Sequence, residues 1–492
     1  MNVTLGFDVG TSSSKGVLVA SDGAIVAQAT ASHEVSRPAA GHVEHDAMVW
    51  WQEFVDVAAQ LRAQRPDAVI TTVGVSGMGP TVLLGDADDV PVRPAILYGV
   101  DTRATAQIAS MTAALGADEI TAVAGSTLTT QAAGPKIVWV AENEPAAYAR
   151  ARRLFMPASW LARQLTGAYV LDHHSASQTT PLYDVTAQRW HDAWWQRFAA
   201  GIEQPQLLWP GEIAGTITAA ASAVTGIAEG TPVIAGTIDA WTESVSVGAV
   251  APGDLMLMYG TTMFLVATGK EILRTPSMWT TIGAYPGTTN LAGGLATSGA
   301  LTAWLKDLTG ADYPALLAEA EVAGVGGNGL LMLPYFAGER TPILDPDARG
   351  MIAGLTLTHT RGDLYRAALE ATAFGVRHNI ETMRAAGAKI ERIVAVGGGV
   401  QGQLWLQIVS DVTGLVQEVP QVTIGASYGA AYLAAGAVAD EAPSIAEWNP
   451  VVTRIEPNPA NRPDYDELYA HYLALYTQTV DIQHALARRQ HG

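Results

Sequence analysis

Asp239 stands where an apolar run, "PVIAG", gives way to small and polar residues, "TIDAWTESVSVGA". A carboxylate at such a junction can cap a helix N-terminus. It can equally face a cleft and take a proton from a hydroxyl as general base. The stretch alone leaves both open. A second stretch with chemical content is "LGFDVGTSSSKGVLVASDG", residues 5–23. An alternating strand carrying Asp8 breaks at Gly10, Thr11 and Ser12, and a second apolar run follows Lys15. A hairpin tip of free amides, hydroxyls and a lysine suits an anion. Asp8, at the strand end, is placed to hold a metal ion directly or through water. An ordinary polar turn explains the same composition.

The device recurs at 255–266, "LMLMYGTTMFLV", with Gly260, Thr261 and Thr262 at the tip. Two such tips half a chain apart read as an internal duplication with a cleft between the halves. Pro252 and Gly253 punctuate the junction, and Asp239 lies just before it, which favours the cleft reading. "GGGVQG", 397–402, fits G-x-G-x-x-G between a strand and a helix, with Glu418 at the distance where a dinucleotide site wants an acid. A Rossmann domain needs several more βα units than the remaining chain supplies. A turn that lays adenine or phosphate against a helix N-terminus keeps the same physics, and a tight turn without a ligand stays open. No G-x-x-x-x-G-K-[ST] or G-x-S-x-G is present. "HVEHD", 42–46, lacks H-E-x-x-H spacing and reads as a surface loop; His173 and His174 read as structural.

These residues need elements to hold them. Strands are predicted at 69–75, 81–84, 169–172, 216–218 and 330–336, and at "IERIVAV". Helices are predicted between 102 and 165, and at 361–386, 403–413, 427–438 and 463–487. The last carries Tyr469, Tyr472, Leu473 and Tyr476 on one stripe, a packing face. Alternating strands and helices in both halves mean α/β, and 492 residues exceed one core. The expected domains are 1–248 and 249–440, with 441–492 a linker and a terminal helix packing back on the body. Net charge is −19, which argues against nucleic acid or an anionic membrane as partner. A phosphate ligand must then be held locally. Cysteine is absent, so disulfides and thiol chemistry are excluded. No signal pattern or apolar run of about 20 residues is visible, so a cytoplasmic protein is expected.

Taken together, the chain resembles the FGGY family of carbohydrate kinases, in its xylulokinase-like branch. "DVGTSSSKGVLV" and "YGTTMFL" resemble the family's phosphate motifs, "GHVEHDAMVWW" its following segment, and "AGTIDAWTESVSVGAV" its catalytic-aspartate segment. "RPAILYGVDTRA", the long run from "GERTPILDPDARG" to "GVRHNIE", "VGGGVQGQLWLQIVSDVTG" and "ASYGAAYLAA" extend the likeness over about 1–440 and the terminal "YDELYAHYLALY". The resemblance implies two actin-like (ribonuclease H-like) ATPase domains with an interdomain cleft, using ATP and Mg²⁺. Asp239 would be the general base and a second metal-side carboxylate, with Asp8 holding Mg²⁺ through water. Gly10, Thr11, Ser12 and Lys15 would cradle phosphates from one half, and Gly260, Thr261 and Thr262 from the other. Gly299, Gly398 and Gly399 would line the nucleotide channel, with Gln403 near the adenosine. Met78, Gly79, Asp101 and Arg103 would face the sugar.

The implied reaction is phosphorylation of a ketose at its terminal hydroxyl, D-xylulose first. Xylulokinases usually read "SGQMHG" where this chain reads "SGMGP" at 76–80, and Ala240 stands where Asn commonly follows the catalytic aspartate. Two polar contacts are thereby lost. Such a site tolerates fewer or differently presented hydroxyls, so 1-deoxy-D-xylulose, a tetrulose, ribulose or an alditol stay open as substrates. A non-catalytic actin-like nucleotide sensor is the alternative of another class. The expected partners are the sugar and MgATP, with a homodimer left open and with no nucleic acid and no membrane.

Overall fold

The computed structural model describes residues 1–423 and 425–491. Its first sheet is built from β1 (Asn2–Val9), β2 (Ser13–Ala20), β3 (Ile25–Ser32), β4 (Val69–Gly77), β5 (Ile213–Thr216), β6 (Pro232–Ile234) and β7 (Thr237–Ile238). Their order is β5-β6-β4-β1-β2-β3, with β7 joining β4 beyond β6. The second sheet contains β8 (Asp254–Tyr259), β9 (Met263–Gly269), β10 (Trp279–Ile282), β11 (Thr289–Leu295), β12 (Arg392–Val396), β13 (Gln417–Pro420) and β14 (Val451–Ile455). Its order is β10-β11-β9-β8-β12-β13-β14. Each sheet has an antiparallel three-strand meander (β3-β2-β1 and β11-β9-β8). Each then adds two parallel crossover strands and an antiparallel edge strand. The repeated hairpin in the sequence is therefore the start of a repeated sheet.

β1 is buried on both faces because helices cover both. Side chains alternate along a strand, so Phe7 points to α1 (Ala47–Gln64), where it meets Phe54 edge-on with ring centroids 4.9 Å apart. Gly6 points to the other face and pairs in register with Gly74 of β4. Among the other helices are α2 (Asp239–Ser246), α3 (Gly299–Thr309), α4 (Arg361–Ala385), α5 (Gln403–Thr413), α6 (Gly425–Val438), α7 (Ile445–Trp448) and α8 (Arg462–His491). A side chain at Gly74 would stand 2.0 Å from the carbonyl oxygen of Ala430, so the glycines form a flat seat for α6. That helix lies in the second half of the chain yet packs on the first sheet and along α2, so the halves interlock.

α4 and α5 form as the spacing predicts, the former opened by a reciprocal cap between Thr360 and Asp363. The tyrosine stripe of α8 packs on Phe374 of α4, and the Tyr472 hydroxyl meets that of Tyr335 at 2.7 Å. The stretch after 440 is not a plain linker, because β14 completes the second sheet against β13. Between β4 and β5 the chain inserts a largely helical wall whose core holds Trp190, Trp194 and Trp195. No helix among the described residues is long and apolar enough to cross a membrane.

Candidate active site

Strand register assembles the site. Asp8 at the end of β1 has Lys15 of β2 opposite it on one side and Ser76 of β4 on the other, and Thr237 of β7 is opposite Ser76. Residues opposite one another share a face, so four residues from four strands make one row. Ser76 Oγ donates to Asp8 Oδ1 at 2.6 Å. Asp239 follows Thr237 by two residues and is the first residue of α2. It is not the helix cap: Ile238 holds that position, without a side-chain bond. One Asp239 oxygen accepts the amide of Ala240 at 2.7 Å, and the side chain lines the cleft. One helical turn on, Glu243 joins it.

Burial, first of all, raises the pKa of each of these carboxyls. Asp8 further raises Asp239, while the Ser76 hydrogen bond and Lys15 pull Asp8 back down. Glu243 is pushed up to about 8 by burial and then by Asp8 and Asp239. Buried carboxylates in each other's field call for positive charge. Among the described residues no group of three or more His, Cys, Asp or Glu side chains gathers to ligate a cation. The donor set, Asp8 with Asp239, fits an ion that keeps water and phosphate ligands, the common manner of Mg²⁺.

Both hairpins reach the same cleft, of about 520 Å³, the first through Asp8 and Lys15 of its strands and the second through Thr262 at its tip. In the first tip the Gly10 amide donates to Ser13 O at 3.0 Å, and the hydroxyls of Thr11 and Tyr98 meet at 2.8 Å. The Gly10 carbonyl faces His33 Nε2 at 3.0 Å; His33 Nδ1 meets Glu53, which also accepts from Ser14 Oγ at 2.6 Å. In the second tip, Gly299 N donates to Gly260 O at 3.0 Å, and Ser298 N and Ala300 N donate to Thr261 O.

The predicted residues divide. Asp8, Lys15, Gly79, Asp239, Thr262 and Gly398 line the cleft. Gly10, Thr11, Ser12, Gly260 and Thr261 form the partly exposed tips. Gly299 backs the second tip, and Gly399 packs against Tyr259 and Trp405 behind the wall. Gln403 is exposed at the first turn of α5 and is not part of the wall. Met78 is buried, its amide on Val9 O. Asp101 and Arg103 do not reach the cleft either. They pair with each other at 2.7 Å, Asp101 takes the amide of Val43, and Arg103 pairs with Glu44 and stacks on Trp139. The two form an ion network behind the wall. The "HVEHD" segment is likewise no surface loop: Glu44 and His45 are buried, and Asp46 caps α1.

Four features were missed. Glu243 was within reach, since i,i+4 spacing puts it above Asp239. Tyr98 and Arg340 carry no local signal. Neither does the hydroxyl-bearing wall of Ser126, Thr127, Thr129, Gln131, Ser177 and Gln178, which faces Trp241, Phe264 and Trp279. His174 supports that wall: Nδ1 donates to Ile282 O at 2.6 Å, Nε2 accepts from Gln178, and burial lowers its pKa to about 3, so it is neutral.

Residues 3–245 match the N-terminal domain of the FGGY family of carbohydrate kinases, and residues 255–438 match its C-terminal domain. The chain is 30% identical over 437 residues to the xylulose kinase of Escherichia coli (strain K12), covering 87% of this chain and 89% of that one. It is 32% identical over 453 residues to the glycerol kinase of Nocardia farcinica, covering 88% and 89%. The crystal structure of xylulose kinase from Rhodospirillum rubrum superposes with a TM-score of 0.91 at 29% identity, covering 98% of this chain and all of that one.

Proposed function

Because the chain belongs to the FGGY family of carbohydrate kinases, we propose that its cleft moves the γ-phosphoryl group of ATP to the terminal primary hydroxyl of a neutral ketose, D-xylulose first. One observation carries this reading: Asp239 faces Asp8 in a cleft into which both phosphate-type hairpins open. Asp239 accepts the proton of the attacking hydroxyl. The tips at Gly10–Ser12 and Gly260–Thr262 present amides and hydroxyls to the phosphates, and Lys15 adds charge. Asp8, with Asp239 beside it, would hold Mg²⁺ through water. That ion, when bound, neutralises charge on the phosphate oxygens.

The choice of sugar rests on two observations. The charged side chains on the cleft wall among the described residues are Asp8, Lys15, Asp239, Glu243 and Arg340. Most of the remaining polar lining is hydroxyls, amides and indole faces, suited to a neutral polyol and not to a carboxylate. The names of the xylulose kinase relatives supply the ketose, while the glycerol kinase relative makes glycerol the competitor to exclude. ADP release with MgATP, measured over a panel of ketoses, deoxyketoses, glycerol and gluconate, tests the reading. A ketose should lead by kcat/KM, and glycerol and gluconate should be poor. Glycerol or an aldonate in first place would overturn it.

A further inference from the structure

Arg340 comes from the second half of the chain, on the loop between two short paired strands, Leu331–Leu333 and Met351–Ala353, that precede α4, and it lines the cleft. One guanidinium nitrogen, Nη2, donates to the carbonyl of Leu295 at 2.7 Å. Leu295 pairs in register with Met263, the residue after the second hairpin tip, so the guanidinium is anchored beside that tip. Its Nε is buried without a hydrogen-bond partner. The neighbouring carboxylate does not serve it: Glu339 Oε1 accepts the amides of Ala296 and Arg340 instead. Tyr98 lines the same cleft as Arg340 and Asp239 and feels the charge of both, and its hydroxyl meets that of Thr11 in the first tip at 2.8 Å. A guanidinium is thus anchored beside the second tip, in the cleft it shares with Tyr98 and Asp239, with a donor left over. Burying a cation with an unused donor is expensive unless an anion completes it.

We propose that Arg340 is a catalytic residue, an arginine supplied in cis that grips the transferring phosphoryl group. This rests on the kinase reading above. In the step the sugar oxygen bonds to the γ-phosphorus as the bond to the β,γ-bridging oxygen breaks, the hydroxyl proton passes to Asp239, and the leaving charge stays on ADP. The equatorial phosphoryl oxygens carry the spread charge, and a planar fork matches them better than a point charge. Arg340→Ala should lower kcat by ~10²–10³-fold, the usual effect of removing one preorganised donor, with KM for ATP and for sugar near wild type. Added guanidinium ion should restore part of kcat. Arg340→Lys, which keeps charge without the fork, should recover little, and it serves as the test if the alanine variant does not fold. A raised sugar KM with kcat intact would make Arg340 a substrate holder and overturn the proposal. So would wild-type kcat in both variants. A wild-type protein with no ketose-dependent ADP release would overturn the kinase reading itself, which separates the two failures.

Discussion

In the first hairpin the Gly10 carbonyl is held by an imidazole, and that imidazole by a buried carboxylate, so a chain of side chains from the residue after β3 and from α1 supports the tip. In the second hairpin the carbonyls of Gly260 and Thr261 are held by three backbone amides at the start of α3. Six strands of each sheet repeat in the same order and sense, yet the tips are braced by different means. A side-chain brace can be cut by one substitution. A backbone brace is indifferent to side chains except where one would intrude. That place is Gly299, where a Cβ would come within 2.6 Å of Gly260 O.

The contrast predicts an order of damage. Glu53→Ala strands His33 and Ser14 in a buried site. Each buried polar group left unpaired costs about 1–3 kcal/mol, and two are left, so the melting temperature should fall and KM for ATP should rise. Gly299→Ala forces the second tip to shift by tenths of an ångström, and overpacking of that kind costs about 1–3 kcal/mol. Its melting temperature should fall less, with KM for ATP again raised. Melting curves and ATP titrations on the two variants check this. A larger loss in Gly299→Ala than in Glu53→Ala would mean that the backbone brace is the weaker one.

What the sequence made legible follows the same local logic. Asp8 and Lys15 belong to one hairpin, so their opposition across the strands is written within a few residues. Ser76 and Thr237 complete the same row from strands far along the chain, and no local pattern specifies that pairing. The seat of α6 on Gly6 and Gly74 is hidden for the same reason, although the helix itself is plain from its small residues. The family resemblance alone assigns Asp101 and Arg103 to the sugar; the fork of the arginine closes on its neighbour and on Glu44, a pairing that no local pattern specifies. Arg340 reaches the cleft by a long loop and could be found only in three dimensions.

Asp239 carries the central claim, and Asp239→Asn tests it most directly. Asn keeps the shape and the bond to the Ala240 amide but cannot take a proton. Kinetics with MgATP and the best ketose should therefore show kcat lowered by ~10²–10⁴-fold. The native pKa of Asp239 is raised, so its ionised form opposes folding at neutral pH, and removing that charge beside Asp8 should leave the melting temperature unchanged or higher. The same raised pKa places the acid limb of wild-type kcat/KM well above the ordinary carboxylate value of about 4, with activity gained as pH rises through it. Near-wild-type turnover in Asp239→Asn would contradict the account and remove this carboxylate from the chemistry.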